Sequence, residues 1–318
     1  MYPRYFPWVG SPISGGFDRQ TTPDPFDPQP DFIHSAPFLV PLPYSAVSYP
    51  RKRFGQHWLR DPQVLHRIVA AAHLQPEDRV LEIGPGRGVL TQALVEQAAA
   101  VVAVELDRDL CQSLVQRFGQ HQNFVLLQGD ILRLDLAQQL RDFPQFQNLT
   151  KVVANIPYNI TGPILELLLG QLSQPQIPRW QEIVLLVQRE VADRVCADPG
   201  GKAFNALSVR CQYLADCEII CAVPPQAFKP PPKVESAVLR LVPRPYSNPP
   251  QNPHYLETLL KVGFGAKRKM LRNNLKAVID RDRLDAVFES LNLDPTARAE
   301  ALGLPQWIAL SDALAPTP

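Results

Sequence analysis

The regular alternation of short apolar runs with amphipathic stretches, between residues 79 and 188, constrains the fold of this chain more than any other feature. Strands are predicted over Arg79–Ile83, Val101–Glu105, Phe124–Gln128, Lys151–Asn155 and Ile183–Gln188, with helices over Val89–Gln97 and Asp109–Phe118. Strands that alternate with helices build a parallel sheet with helices on both faces. Two later runs, Glu218–Val223 and Ser236–Leu241, flank a proline-rich loop and predict a closing antiparallel pair. The expected fold is therefore α/β and Rossmann-like, with a mostly parallel, seven-stranded sheet.

The parts of the chain on either side of this pattern have a different character. Prolines interrupt the first fifty residues without any sustained period, at Pro23, Pro25, Pro28, Pro30, Pro37, Pro41, Pro43 and Pro50. Such a segment buries too little apolar surface to offset the entropy of ordering it, so we expect disorder over residues 1–50. Asp61-Pro62 predicts the start of a helix, because a capping side chain precedes a proline. After Pro250 the period is helical throughout, which divides the chain into an extension (1–50), an α/β domain (51–247) and a small all-α domain (248–318).

Composition limits the partners that this chain can have. Its 318 residues include 32 Lys and Arg against 31 Asp and Glu, so nucleic-acid binding has to come from local basic clusters. The five cysteines lack the paired spacing of a zinc site, which predicts reduced thiols and no metal. No apolar run approaches the roughly 20 residues that cross a bilayer, and no signal peptide is evident. We therefore expect a cytoplasmic protein without membrane contact, and a monomer because no heptad pattern is present.

A glycine-rich turn, Gly84-Pro85-Gly86-Arg87-Gly88, joins the first predicted strand to the following helix. Glycine lets the chain turn tightly and lets a ligand lie against backbone N–H groups at the start of a helix. Dinucleotide-binding folds share this turn but prefer Gly-x-Gly-x-x-Gly, which would place glycine where Val89 stands. Glu82, two residues before the first glycine, fits the S-adenosylmethionine-binding version better. The turn therefore predicts an S-adenosylmethionine site, with Glu82, Gly84 and Gly86 beside the cofactor.

Carboxylates also follow the second and third predicted strands. Glu105 ends its strand, where it can accept hydrogen bonds from both hydroxyls of the cofactor ribose. Asp130 follows Gly129, where it can accept one from the exocyclic amine of the cofactor adenine. Because the carboxyl ends of parallel strands meet at one sheet edge, these acids and Glu82 are expected to face one ligand. A carboxylate at a strand end also serves as a helix cap or a solvated loop charge, and for Asp130 that alternative stays open.

The fourth predicted strand ends in Asn155-Ile156-Pro157-Tyr158, which indicates methylation of an amino group. An adenine N6 amine is a poor nucleophile because its lone pair is delocalised into the ring. The side-chain oxygen of Asn155 and the carbonyl of Ile156 can accept both amine hydrogens, while Pro157 fixes the turn that aims them. Tyr158 can stack on the base, a contact worth ~1–3 kcal/mol. Since asparagine is no base at neutral pH, we expect catalysis by positioning, unless the tetrapeptide is merely a strand-end turn.

These motifs together resemble the rRNA adenine N6,N6-dimethyltransferase family, over residues 50–310. Arg53–Leu59 (Arg-Phe-Gly-Gln-His-Trp-Leu) is similar to the family's N-terminal cofactor motif, although Trp58 stands where the family more often has phenylalanine. Asn155–Ile160 is similar to its target-amine loop, and Phe228–Ser236 to a second loop that holds the base. The resemblance implies a class I S-adenosylmethionine methyltransferase domain followed by a small helical domain.

The resemblance also implies roles for individual residues. The residues assigned to the cofactor are Gln56, His57, Leu59, Glu82, Gly84, Gly86, Glu105, Leu106, Asp130, Ile131 and Asn155. The catalytic residues are Asn155, Ile156, Pro157, Tyr158 and Phe228. Phe228 would cover the face of the adenine opposite Tyr158, because a base must leave its stack before its amine can be reached. A core aromatic at the base of the loop is the alternative for Phe228.

Three groups of basic residues are candidates for RNA contact. They are Arg51, Lys52, Arg53, Lys229, Lys233, Lys267, Arg268, Lys269 and Arg272. Phosphate contacts give affinity without sequence information, although a basic run also serves as a plain solvated face. The segment Phe264–Leu275 and the full form of Pro231–Ser236 favour the small-subunit branch of the family over the macrolide-resistance methylases. That branch implies two adjacent adenines in the loop of the last helix of small-subunit rRNA, free or in a pre-30S particle, as the substrate.

Four other functions stay open at this point. A non-catalytic or dual-role rRNA-binding assembly factor would use the same fold, but Glu105, Asn155 and Tyr158 are all present. A large-subunit rRNA adenine methylase would use the same cofactor and amine motifs. A DNA adenine methylase typically carries Asp/Asn-Pro-Pro-Tyr/Phe, so Ile156 favours RNA as the substrate. An NAD dehydrogenase is disfavoured by Val89 and by the amine loop.

Overall fold

The computed structural model describes residues 57–176 and 179–315, together with the backbone of Leu39–Val40. Four residues predicted to contact cofactor or RNA, Arg51, Lys52, Arg53 and Gln56, lie outside the described residues. The same holds for the extension over residues 1–50 apart from that two-residue strand. The structure therefore addresses the predicted α/β part and the helical part that follows it.

Seven strands form the central sheet: β1 (Arg79–Ile83), β2 (Ala100–Glu105), β3 (Phe124–Gln128), β4 (Lys151–Asn155), β5 (Glu182–Gln188), β6 (Ala215–Val223) and β7 (Ser236–Pro243). Their order is β3-β2-β1-β4-β5-β7-β6, and Leu39–Val40 adds a parallel edge strand next to β3. The first five strands are parallel, whereas β7 runs antiparallel to both β5 and β6. The predicted fold class is confirmed. Between β1 and β4 the chain reverses the direction in which it adds strands, and such a switch point is where open α/β sheets bind ligands.

The parallel strands are apolar throughout because both faces of the sheet are covered. All six residues of β2 are buried, and successive side chains alternate between two core clusters. Val101 and Ala103 pack on the face covered by the helices between residues 62 and 118, whereas Val102 and Val104 pack on the other face. This alternation follows from the two-residue period of a strand, since both faces of this sheet are buried.

Eleven helices are present in the described residues: α1 (Pro62–Ala71), α2 (Val89–Val95), α3 (Arg108–Phe118), α4 (Leu136–Gln139), α5 (Thr161–Leu169), α6 (Arg189–Val195), α7 (Ala206–Leu214), α8 (Pro253–Gly263), α9 (Leu271–Leu275), α10 (Arg281–Ser290) and α11 (Leu304–Leu314). The Asp61 carboxylate accepts from the backbone N–H of Gln63 at 2.8 Å and caps α1 as predicted. Helix α2 ends two residues before its predicted end, because its last turn tightens to a bond from the Gln97 N–H to the Leu94 carbonyl. None of these helices is long and apolar enough to cross a membrane.

Helices α8 to α11 close around one large aromatic residue. Trp307 is fully buried and stacks on Phe264 with 5.3 Å between ring centroids. The core cluster that contains Trp307 also contains Leu81 and Leu185 of the sheet. The boundary predicted near residue 248 falls between β7 and α8, and one continuous hydrophobic core spans both sides of it.

A two-residue antiparallel pairing joins distant parts of the chain above the sheet. Trp58–Leu59 pairs with Phe228–Lys229, and the Arg60 N–H donates to the Ala227 carbonyl at 2.8 Å. Two motifs that the sequence marks separately therefore lie side by side. This pairing fixes the entrance of the candidate site.

Candidate active site

The glycine turn between β1 and α2 has a left-handed backbone at each glycine, with φ of +67° at Gly84, +57° at Gly86 and +75° at Gly88. A Cβ on Gly86 would lie 3.3 Å from Cδ1 of Trp58, so the turn approaches the 57–59 segment closely. A Cβ on Gly88 would lie 2.4 Å from the Phe118 ring. Gly86 therefore keeps the site open, whereas Gly88 serves the packing of α3.

The side chain of Trp58 joins the N-terminal segment to the glycine turn. The Arg87 guanidinium lies 3.8 Å above the centre of the indole ring, a cation–π contact. Since guanidinium groups stack on indole more strongly than on a phenyl ring, the tryptophan at this position strengthens the contact. Sequence reasoning treated Trp58 as a mild departure from the family and missed this pairing. The proximity of glycine and tryptophan could not be inferred from either motif alone.

Glu105 ends β2 beside the glycine turn. Its Oε1 accepts from the N–H groups of Leu106 at 2.8 Å and Asp107 at 2.9 Å, and its Oε2 accepts from the Gly86 N–H at 3.2 Å. Burial raises the pKa of this carboxyl, and the three backbone donors oppose that rise. A carboxylate offers about four acceptor positions, so capacity remains on Oε2 for a ribose hydroxyl. The geometry leaves room for one ribose hydroxyl, and acceptance from both hydroxyls stays a prediction.

Glu82 lies beneath the glycine turn. Its side chain is 1% exposed, and Thr91 Oγ1 donates to its Oε2 at 2.7 Å. Burial raises the pKa of Glu82 to about 8, and the neighbouring Glu105 adds to the rise while Thr91 opposes it. Direct cofactor contact by Glu82 stays a prediction; the structure shows a carboxyl that supports the turn from below.

The third predicted acid occupies a local turn. Asp130 Oδ1 accepts from the Leu132 N–H at 3.0 Å, and its Oδ2 lies 3.7 Å from Arg133 Nε. Leu106 is 45% exposed and Ile131 is buried. An exposed Leu106 beside Glu105 offers an apolar surface to a flat ring, which fits the predicted cofactor contact. The carboxylate of Asp130 caps this turn through Oδ1, and its Oδ2, which has no short hydrogen bond, remains open for the predicted contact with the cofactor adenine.

Asn155 and Pro157 lie directly against the glycine turn. A Cβ on Gly84 would be 3.8 Å from the Asn155 carbonyl oxygen and 3.7 Å from Pro157 Cδ. Among the residues that the structure describes, none hydrogen-bonds the half-buried side-chain amide of Asn155. Ile156 is 2% exposed and anchors the loop in the core. The loop therefore presents an unused amide oxygen at the edge where the cofactor motifs meet.

Tyr158 is held at the mouth of the site by two contacts. Its hydroxyl lies 2.6 Å from the Ser236 Oγ, and its ring stacks on His57 with 5.9 Å between centroids and 26° between planes. The His57 Nδ1 in turn donates to the Pro230 carbonyl at 2.8 Å. The N-terminal motif, the amine loop and the 228–236 loop thus meet at one aromatic side chain.

Phe228 and Leu59 lie deeper than the resemblance implies. Phe228 is 4% exposed and Leu59 is 5% exposed, in a core cluster with residues of α1 and β6 such as Ile68 and Val223. A base could reach the Phe228 ring only after the side chain turns outward. Its role in stacking stays a prediction, and the structure places it as a core aromatic at the base of the loop.

The described basic residues form two exposed groups. Lys229 and Lys233 lie on the loop beside Tyr158. Lys267, Arg268 and Lys269 lie on the exposed loop between α8 and α9. That loop is anchored by Asn274, whose Nδ2 donates to the carbonyls of Gly263 at 2.6 Å and Ala266 at 3.2 Å. Arg272 is partly exposed, with Nη1 4.0 Å from the Asp285 carboxylate.

These features fit S-adenosylmethionine at the carboxyl edge of β1, β2 and β4. The absence of Cβ atoms at Gly84 and Gly86 leaves space beside Asn155 and Trp58. Glu105 and Asn155, which end β2 and β4, keep unused acceptor capacity at that edge of the sheet. In the described residues, no cluster of three His, Cys, Asp or Glu side chains could hold a metal ion. The arrangement offers positioned acceptors and an aromatic face for methyl transfer to an amine.

Comparisons with known proteins identify the family of this chain. Residues 47–315 match the family model of ribosomal RNA adenine dimethylases. Ribosomal RNA small subunit methyltransferase A of Picosynechococcus sp. is 60% identical over 83% of this chain and 97% of its own length. The Synechococcus elongatus protein of the same name is 61% identical over 82% of this chain and 93% of its own length.

Solved structures give the same result for the fold. A dimethyladenosine transferase from Plasmodium falciparum superposes with a TM-score of 0.67 and 25% identity, over 80% of this chain and 96% of its own. The 23S rRNA methyltransferase ErmE superposes with a TM-score of 0.63 and 27% identity, over 81% of this chain and 99% of its own. With this site geometry and the match over most of its length, the chain belongs to the ribosomal RNA adenine dimethylase family.

Proposed function

We propose that this protein dimethylates the N6 amino groups of two adjacent adenines in the loop of the 3'-terminal helix of small-subunit rRNA, with S-adenosylmethionine as the methyl donor. The observation that carries the proposal is the half-buried Asn155 side-chain amide, which no described residue hydrogen-bonds, on a loop whose backbone lies against the glycine turn and continues into Tyr158. The relatives at 60–61% identity are small-subunit enzymes by name, whereas the 23S methyltransferase is 27% identical. This difference supports the small-subunit branch.

The residues of the amine loop account for the chemistry. S-adenosylmethionine supplies, when bound, a methyl group on a positively charged sulfur. In the first transfer the Asn155 side-chain oxygen and the Ile156 carbonyl accept the two N6 hydrogens, which localises the lone pair on the nitrogen. In the second transfer one of these oxygens accepts the single hydrogen that remains. Tyr158 stacks on the extruded base and keeps its amine in the plane of the acceptors. In each transfer the nitrogen would bond to the methyl carbon as the bond from that carbon to sulfur breaks with its electron pair left on the sulfur, and the nitrogen would release a proton to solvent, because the amide of Asn155 is no base at neutral pH.

Binding of the RNA is assigned to the exposed basic residues around the site. Lys229 and Lys233 flank the Tyr158 side of the loop, and Lys267, Arg268 and Lys269 extend the surface onto the helical part. Arg272, Arg51, Lys52 and Arg53 complete the proposed set. Phosphate contacts of this kind position the RNA, while the amine loop selects the base. The proposed partner is rRNA, free or in a pre-30S particle in the cytoplasm, and the protein acts as a monomer without DNA or membrane partners.

The test is transfer of labelled methyl from S-adenosylmethionine to unmethylated small subunits, large subunits and DNA in parallel, followed by nucleoside analysis. We expect N6,N6-dimethyladenine in small-subunit RNA alone. Label in large-subunit RNA would move the protein to the resistance branch. Binding to small subunits without any label would make it a non-catalytic assembly factor.

A further inference from the structure

The hydroxyl of Tyr158 is held by Ser236, to which the family resemblance assigns no role. Ser236 Oγ lies 2.6 Å from the Tyr158 hydroxyl oxygen, at the distance of a strong neutral hydrogen bond. Within the described part of the chain, Tyr158 is the single hydrogen-bond partner of the Ser236 hydroxyl. The two residues belong to loops that sequence reasoning marked separately.

Ser236 is itself held rigidly. It is the first residue of β7, it is fully buried, and it pairs with Gln188 of β5. The preceding carbonyl, that of Glu235, accepts from the Arg189 N–H at 2.9 Å. A hydroxyl on such a frame moves little, so it is a fixed point for a neighbouring side chain.

Tyr158, in contrast, leaves the amine loop on a single turn of 3-10 helix and is partly exposed. One face of its ring contacts His57, and its hydroxyl contacts Ser236. Burial raises the pKa of Tyr158, so its hydroxyl stays protonated at neutral pH and keeps this bond. Without Ser236, the ring would keep one contact on one face and could turn about its side-chain bonds.

We propose that Ser236 is a positioning residue, whose hydroxyl fixes the position of the Tyr158 ring so that the target adenine stacks with its N6 amine against Asn155. This proposal rests on the proposed function. It assigns no contact between Ser236 and the cofactor or the RNA. Its effect is therefore transmitted through the Tyr158 hydroxyl alone.

The test is a double-mutant cycle with Ser236→Ala and Tyr158→Phe, each of which removes the same hydrogen bond from one side. We expect each single variant and the double variant to lose roughly 5- to 10-fold in kcat on small subunits, the size of one neutral hydrogen bond. The affinity for S-adenosylmethionine should stay at the wild-type value, because Glu105 and the glycine turn are untouched. Losses that multiply in the double variant, or a Ser236→Ala enzyme with wild-type kcat, would overturn the proposal.

A spectroscopic readout separates positioning from a merely structural role. An RNA with 2-aminopurine at the target position fluoresces when the base leaves its stack and is quenched when the base stacks on an aromatic ring. We expect wild type to quench the extruded base and both single variants to lose part of that quenching, with cooperative thermal unfolding whose midpoint falls by no more than about 2–4 °C, the cost of one hydrogen bond. Unchanged quenching would contradict the proposal. If Ser236→Ala fails to fold, Tyr158→Phe, which removes only an oxygen, decides the result.

The same readout separates this proposal from the proposed function. If wild type quenches 2-aminopurine but transfers no methyl group, the proposed function fails while the fluorescence of the two variants still decides the role of Ser236. If wild type neither methylates nor quenches, both proposals are wrong. Methyl transfer with a Ser236-dependent kcat and Ser236-dependent quenching supports both.

Discussion

Thr91 Oγ1 donates a hydrogen bond of 2.7 Å to the carboxyl of Glu82, and both side chains are buried beneath the glycine turn. Burial raises the pKa of Glu82 from its ordinary value of 4.5 to about 8. The folded protein therefore keeps a proton that the unfolded chain releases above pH 4.5. An acid that sequence reasoning assigned to the cofactor thus also links the stability of the turn to pH.

Glu82→Gln is expected to remove this pH dependence. In the wild type, the free energy of unfolding should fall as pH rises from about 4.5 to about 8, by at most roughly 1.4 kcal/mol per pH unit from this group. The glutamine variant still accepts the hydrogen bond from Thr91 and carries no ionisable group. Its free energy of unfolding, relative to that of the wild type, should therefore increase up to about pH 8 and then level off. Urea unfolding of both proteins at pH 5, 6, 7, 8 and 9 measures the difference. Parallel curves would show that Glu82 is ionised in the folded state.

Lys151→Met should destabilise the protein from the edge of the sheet opposite the site. The Lys151 Nζ lies 2.9 Å from Asp78 and 3.7 Å from Glu182, and all three side chains are at most 7% exposed. Removal of Lys151 leaves the buried Asp78 carboxylate without its cation, whereas Glu182 keeps Arg240, and one uncompensated buried charge costs about 3–5 kcal/mol. Chemical denaturation measures this loss. The exposed pair of Arg281 and Asp285 supplies the control, because Arg281→Met should cost less than about 1 kcal/mol.

The sequence predicted the strands well because their pattern is local. Three of the five predicted parallel strands, Arg79–Ile83, Phe124–Gln128 and Lys151–Asn155, are identical to β1, β3 and β4, and the other two begin one residue earlier than predicted. A strand that is buried on both faces is a nearly continuous apolar run, which can be recognised without reference to the rest of the chain. The glycine turn and the amine loop were equally readable, since each depends on consecutive residues.

The features of the site that could not be predicted from the sequence depend on contacts between residues far apart in the chain. His57 and Pro230 are separated by 173 positions, and no period or spacing indicates that they hydrogen-bond. Lys151 opens a strand, where a polar residue usually marks solvent, yet it is buried by a network that only the fold assembles. For Phe228, the sequence left two roles open, stacking on the base and packing in the core. Its burial depends on how tightly the 57–59 segment packs against it.

Gly88→Ala is expected to destabilise the glycine turn. The added Cβ would lie 2.4 Å from the Phe118 ring, and φ of +75° disfavours any side chain. Together these effects should cost about 2–4 kcal/mol. Gly162→Ala in α5 is the matched control, because its Cβ meets nothing within 4 Å and alanine favours a helix, so stability should rise by about 0.5–1 kcal/mol. Equal midpoints in thermal unfolding would contradict the packing role of Gly88.

Asn155→Ala and Glu105→Ala should separate turnover from cofactor affinity. Asn155 is proposed to act on the target amine, so its loss should lower kcat by roughly 100- to 1000-fold with little change in the Kd for S-adenosylmethionine. Glu105 is predicted to accept from the cofactor ribose, so its loss should raise that Kd by roughly 10- to 100-fold. Calorimetry for the cofactor and single-turnover methylation for the RNA measure the two effects. A wild-type turnover rate for Asn155→Ala would sink the amine-polarising mechanism.

The loop between α8 and α9 should contribute phosphate contacts and no sequence preference. Lys267, Arg268 and Lys269 are exposed there, on a loop that Asn274 anchors through two backbone carbonyls. Replacement of the three cations with alanine should lower RNA affinity equally for target and non-target RNA. Because each neutralised phosphate contributes about 0.7–0.9 to the salt slope, the slope of log K against log salt should become shallower by roughly 2–3.

The control for this loop lies at the opposite edge of the sheet. Arg141 and Arg179 line a cavity next to Thr150, which immediately precedes β4, whereas Asn155 ends that strand at the active-site edge. Alanine at both positions removes charge of the same sign without touching the proposed RNA surface, so the salt slope should stay at the wild-type value. A slope that falls equally in both variants would mean that RNA binding follows net charge. A slope that changes in neither would remove the α8–α9 loop from the RNA surface and leave Lys229 and Lys233 as the described cations that hold the substrate.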